Sequence, residues 1–316
     1  MMRFTRCLAL LCLLMTACTP HRLGMTTGPE TATHPLSGRI WDTQGQRYIT
    51  QPELEKKLRT ARFVLLGEVH DNPVHHRLRH DLIATLIRDG RRPAIAMEQF
   101  DREHQAALQQ AQHEPSPTPE SIKAAGRLDA GGWHWPFYEP IIRLALDHRL
   151  TVYAANLSRA DAFRVSTQGA AVVLGTATFR ALKLDEPLPD TARRSLEHII
   201  EEGHCNKAPP EILPGIVSAQ RARDAVMTGV LRSAGDEGAV LIAGNGHVRR
   251  DFGVPHYLAQ YPQGRDALAV AYLEVSAART APADYFNAAA PEYDYIVFTP
   301  RTPRPDPCED IHFKKR

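Results

Sequence analysis

Ionisable residues stand where apolar runs end in this chain: Glu68, His70 and Asp71 after Phe63-Val-Leu-Leu-Gly67, Glu98 after Ala94-Ile-Ala-Met97, and His247 after Ala239-Val-Leu-Ile-Ala-Gly-Asn-Gly246. Carboxylates and histidines delivered together can work as general acids and bases on water, hold a divalent metal, or grip an anionic cofactor. If the runs before Glu68 and Glu98 are neighbouring strands, two like charges meet at one sheet edge, which raises one pKa or demands a cation. The plainer structural readings are a backbone-capping Glu68, an ordinary loop His70 and a Glu98 that caps the next helix.

The positioning elements follow from periodicity. Residues 63–66 are continuously apolar, as in a strand buried on both faces. Gly67 permits a turn or a close backbone approach. Asn72 and Pro73 suit the cap and first position of a helix running to about Arg88, where Asp89-Gly90 stops it. That helix carries His75, His76, Arg79 and His80; His76 and His80 share a face, and with Arg79 beside them the spacing reads as a solvated basic face. Residues 93–97 form a second strand, followed by a helix from beyond Phe100 to about Gln112. Aromatics cluster in 131–140, suited to plugging a core or stacking on a flat ligand, ahead of a helix over 141–148. A third strand over 150–155 ends at Asn156 and Arg159. From Ala160 to about Asp236 the pattern is mostly helical, an insertion or cap with one possible strand at 170–174, and its last helix aligns Gln220, Arg223, Asp224 and Met227 on one stripe. Residues 239–247 repeat the strand, glycine and histidine design; a short helix over 254–261 and strands over 267–275 and 293–298 complete an α/β fold with a mainly parallel sheet flanked by helices.

The first 17 residues, with Arg3, Arg6 and the apolar 8–15, read as a bacterial secretory signal too short to span a membrane. Thr16-Ala17-Cys18 resembles a lipobox, so Cys18 is the expected acylated (palmitate-bearing) N-terminus; Thr19 in place of an aspartate points to the outer membrane, facing the periplasm. The expected organisation is signal 1–17, tether 18–37, α/β domain 38–300 with a hairpin over 38–49 and the helical insertion at about 160–236, and tail 301–316. Removing the signal takes two arginines and no acid, so 38 basic residues fall to 36 against 36 acidic ones. A neutral chain argues against nucleic acid. Cys205 and Cys308 remain, and the sequence leaves their pairing open.

Taken together, Leu66-Gly67-Glu68-x-His70-Asp71, Met97-Glu98-Gln99-Phe100, Trp133-x4-Tyr138-x-Pro140, Ala155-Asn156-x-x-Arg159, Gln220-x-x-Arg223-Asp224-x-x-Met227 and Gly244-Asn245-Gly246-His247 resemble the ChaN family of haem-binding lipoproteins. The resemblance implies a lipid-anchored protein of haem or iron uptake or storage, with a tyrosine on the haem iron, pairing of two haems across a homodimer, and delivery to a haem receptor. Tyr138 is then the first choice of iron ligand, with Tyr153 and Tyr257 behind it. Glu68, His70, Glu98, Arg159 and His247 complete the cofactor set; His75, His76, His80 and Arg79 are further groups for propionates or a second iron. The wider superfamily is similar to erythromycin esterases and Tiki-type metalloproteases, which implies an alternative: hydrolysis at Glu68, His70, Glu98 and His247, with a divalent metal such as Zn or Mn or with histidine as general base. No Gly-x-Ser-x-Gly elbow supports a serine nucleophile.

Overall fold

The structure, a computed structural model, describes residues 33–306 and 308–309. The signal, Cys18, most of the tether and the end of the tail lie outside the described residues. In chain order the elements are β1 (Ile40–Asp42), β2 (Arg47–Ile49), α1 (Gln51–Arg59), β3 (Phe63–Leu66), α2 (Pro73–Arg88), β4 (Ala94–Asp101), α3 (Gln105–Gln112), α4 (Pro119–Ala125), α5 (Trp135–Asp147) and β5 (Val152–Asn156). A helical cap follows: α6 (Arg159–Gln168), α7 (Ala170–Leu174), α8 (Thr176–Ala181), α9 (Asp190–Gly203) and α10 (Leu213–Arg232). The chain then returns through β6 (Ala239–Ile242), α11 (Val254–Leu258), β7 (Ala267–Glu274) and β8 (Tyr295–Thr299). No helix among the described residues is long and apolar enough to cross a membrane.

One eight-stranded sheet runs in the order β2-β1-β8-β7-β3-β6-β4-β5. Every pairing from β8 to β5 is parallel, and the β1/β2 hairpin adds two antiparallel pairings, β1 with β2 and β1 with β8. Alternation in β3 explains its unbroken apolarity: Val64 and Leu66 join the core under α1, α2 and α5, while Phe63 and Leu65 face the opposite core with Met227, Leu231, Val254 and Leu258. Such double burial supplies most of the cohesion.

Several expectations shift. β6 lies between β3 and β4, so the strands bearing Glu68 and Glu98 are not neighbours. β4 continues past Met97 to Asp101, with its register against β5 shifting between those residues, so Glu98 sits within the strand and caps no helix. α5 begins at Trp135, drawing Trp135, Phe137 and Tyr138 into the helix, because Pro136 suits its first turn. Residues 170–174 form a short helix bounded by Gly169 and Gly175.

Candidate functional site

The parallel strands deliver their ionisable side chains to one edge, where helices and loops close over them. Asn72 caps α2 by accepting from the N–H groups of Val74 and His75, which fixes the turn after Glu68. Gly67 is required there: a Cβ would stand 2.1 Å from Oδ1 of Asn245. The same Asn245 donates to Tyr272 O at 2.7 Å and ties the Gly244–Asn245 loop to β7.

Glu68 is 2% exposed and lies at the centre of a buried network. Its Oε1 accepts from Nδ1 of His70 at 2.6 Å, from the Tyr138 hydroxyl at 2.8 Å and from Nε2 of Gln99 at 3.4 Å, while its Oε2 contacts the guanidinium of Arg79. Burial opposes ionisation of Glu68, but Arg79 and His70 outweigh it and hold the carboxyl at about 2. Arg79 is completely buried and its Nη2 also donates to Nδ1 of His76 at 2.8 Å, which leaves Nε2–H of His76 to donate to His70 O at 2.9 Å. That neutral tautomer fits its pKa, lowered to about 4 by burial and Arg79 against the pull of Glu68. His75 is likewise structural: it accepts from Val69 N–H at 2.9 Å, donates to Thr299 Oγ1 at 2.7 Å, and burial lowers it to about 3.

A second carboxylate–histidine group lies beside the first. His247, under α10, has Nδ1 2.5 Å from Asp224 Oδ1 and Nε2 3.3 Å from Glu98 Oε1. The Gln220 amide is 3.1 Å from Nδ1, and Gly244 N–H donates to Glu98 Oε2 at 2.7 Å. Burial works against a charge on His247, yet Glu98 and Asp224 outweigh it and raise the imidazole to about 10. Glu98 is held well below the usual carboxylate range despite burial, chiefly by His247. Gly244 joins the two groups: a Cβ there would stand 3.1 Å from the His70 ring and 3.8 Å from Glu98. The two glutamates thus obtain their cations, Arg79 and the histidines, from the protein.

Of this assembly only the His70 side chain is substantially open, 46% exposed, with its ring 4.9 Å from that of Trp133. A histidine whose Nδ1 is fixed by a carboxylate presents Nε2 as a basic donor atom, the arrangement common to metal-bound histidines. Tyr138, expected as an iron ligand, is 1% exposed, and burial together with Glu68 pushes its phenol far above its ordinary value; its oxygen is engaged with Glu68 and faces no opening. Tyr257 is fully buried, accepting from Arg221 Nε at 3.0 Å, and Tyr153 lines the opposite sheet edge with Arg92, Arg149 and Thr151. Arg159 is exposed on the first turn of α6, outside the network and without an ion-pair partner among the described residues. His80 pairs with Asp81 on the surface. The expected solvated face of α2 is corrected, since His76 and Arg79 turn inward. Among the described residues, no group of three or more His, Cys, Asp or Glu is placed to hold a metal ion. Sequence reasoning named Arg79 only as a further group for a propionate, a role its burial against Glu68 replaces, and did not assign Gln99, Gln220 or Asp224 to the site; the polar stripe on α10 and the three-residue spacing of His76 and Arg79 were the available signals.

The haem-binding uptake family described as Tiki superfamily, ChaN, matches residues 54–258. The chain belongs to the ChaN family. Among solved structures this ChaN member is similar to "Cofacial heme binding to ChaN of Campylobacter jejuni", with a TM-score of 0.62 and 21% identity over 82% of this chain and 95% of that one. It also overlaps an erythromycin esterase, EreC, in its open conformation (TM-score 0.41, 14% identity, 76% of this chain and 77% of that one). The type III effector HopBA1 gives a TM-score of 0.41 at 13% identity over 84% and 97%. The first likeness establishes the α/β fold; the other two are too loose to carry an argument. No curated protein matches the chain.

Proposed function

We propose that this ChaN member binds haem at the carboxyl edge of its sheet and serves haem or iron uptake or storage from the outer membrane, anchored through acylated Cys18. The reading rests on His70. Its ring is the open group of an otherwise buried network, Glu68 fixes its Nδ1, and Trp133 offers an aromatic edge beside it. His70 Nε2 is the atom that would meet the iron, and bound haem would supply the iron chemistry while the protein sets its orientation. Exposed Arg159 is the cation suited to a propionate. Glu98 acts on His70 through its charge, favouring the protonated ring, while His247 opposes it. The proposal includes a homodimer that brings two haems together and passes them to a receptor.

Haemin titration of the mature protein lacking its lipid anchor tests this. Saturable binding that His70→Ala weakens at least tenfold, with the Soret position unmoved by Tyr138→Phe, is the expected result. A Soret shift in Tyr138→Phe with no change in His70→Ala would return the iron to tyrosine. Loss of binding to washed outer membranes after Cys18→Ser would support the anchor, and unchanged membrane association would remove it.

The Glu68–His70 pair also favours a second reading, general-base activation of water by His70 without a metal. Ester hydrolysis by the haem-free protein that His70→Gln abolishes would carry it.

A further inference from the structure

A cavity of about 670 Å³ opens at the antiparallel edge of the sheet, between the β1/β2 hairpin, the first turns of α2 and the end of β8. Most of its wall, residues 37–40, 48–51 and 297–300, lies outside the 54–258 segment that the family matches, so it is a feature of this chain apart from the strand-end site. Ile40, Ile49, Val74, Leu78 and Val297 give it an apolar floor. Its volume is within the roughly 300–1,000 Å³ of small-molecule sites.

Arg39 and Arg77 also line the cavity. Both are exposed, and neither has a carboxylate partner among the described residues; the Arg39 guanidinium lies over the ring of Tyr48, another lining residue, at 5.1 Å. An apolar pocket lined by two arginines without carboxylate partners among the described residues is complementary to an apolar chain that ends in an anion, since guanidinium pairs with carboxylate through two parallel hydrogen bonds. We propose that this cavity binds a single-chain fatty carboxylate, its tail against Ile40, Ile49, Leu78 and Val297 and its head group between Arg39 and Arg77. The inference does not depend on haem binding at His70.

Calorimetric titration of the purified protein with dodecanoate tests it, with dodecanol and dodecyltrimethylammonium as chain-matched controls. Saturable one-to-one binding of dodecanoate is expected, at least tenfold tighter than dodecanol, with no binding of the cation. Arg77→Ala and Arg39→Ala, both at exposed positions, should each weaken dodecanoate about tenfold while leaving dodecanol and the circular dichroism spectrum unchanged. Equal affinity for dodecanol, unchanged affinity in both variants, or no saturable binding would overturn the assignment. So would haemin that displaces dodecanoate and weakens in the same two variants, because the occupant would then be a porphyrin dicarboxylate. A Leu78→Trp variant, which fills the floor and keeps both arginines, should abolish binding; retained affinity in a folded Leu78→Trp protein would also refute the site.

Discussion

Replacing Arg79 with methionine should cost about 3–5 kcal/mol of stability at pH 7, a magnitude set by leaving one member of a buried ion pair alone. The guanidinium is wholly buried and contacts Glu68, whose carboxyl it helps to hold at about 2 against an ordinary 4.5. A depression of that size corresponds to about 3 kcal/mol of folding free energy, in line with the first figure. The sign follows from the direction of the shift. A carboxylate held low stabilises the fold fully above 4.5, and that contribution fades as pH falls toward 2. Urea unfolding from pH 7 to pH 2.5 should therefore show the wild type losing about 3 kcal/mol below pH 4.5, and Arg79→Met losing distinctly less over the same window. The double variant Glu68→Gln/Arg79→Met removes both charges and keeps an acceptor for Tyr138, so it should recover most of the loss. A penalty under about 1 kcal/mol for Arg79→Met, the scale of a surface pair, would refute the reasoning, as would a double variant no better than the single one.

His247, raised to about 10, contributes stability that is complete below 6.5 and lost as pH rises through 10; urea midpoints measured from pH 6 to pH 10 should fall more steeply for the wild type than for His247→Gln. Gly67→Ala drives a methyl into Asn245 and should cost about 1–3 kcal/mol by denaturation, with Gly67→Ala/Asn245→Ala recovering part of it. Cys205 and Cys308 are disulfide-bonded across 103 residues, so Cys205→Ser/Cys308→Ser should lower stability by about 2–4 kcal/mol, and reductant should then have no further effect on the thermal midpoint.

The central strands were legible because burial on both faces leaves an unbroken apolar run, as in Phe63–Leu66 and Ala239–Ile242. Asn72 and Pro73 placed the start of α2 for a similarly local reason. Strand order was not legible: nothing in residues 63–98 announces that a strand from residue 239 will part β3 from β4, because pairing depends on which faces fit at long range. The two ends of the site were read from residue type, yet the roles within them were not. Arg79 looked solvated since arginine usually is, and its burial becomes intelligible only once Glu68, a residue eleven positions earlier, is seen to need a cation. Tyr138 stood in a motif suited to a ligand, while its position within α5 turns the phenol into a donor for that same carboxylate.

The placement of β6 also bears on how the site is made. Glu68 and Glu98 belong to the first third of the chain, but the amide of Gly244 and the imidazole of His247, which balance Glu98, follow a strand that lies between β3 and β4. Closing that gap joins segments separated by well over a hundred residues, the kind of contact that forms late and slowly. Until β6 enters, β3 and β4 expose open edges, and Glu98 has neither its backbone donor nor its histidine. Assembly of the Glu98–His247 half of the strand-end network is therefore coupled to the entry of β6, whereas the partners of Glu68 (His70, Arg79, Gln99 and Tyr138) all come from the first half of the chain.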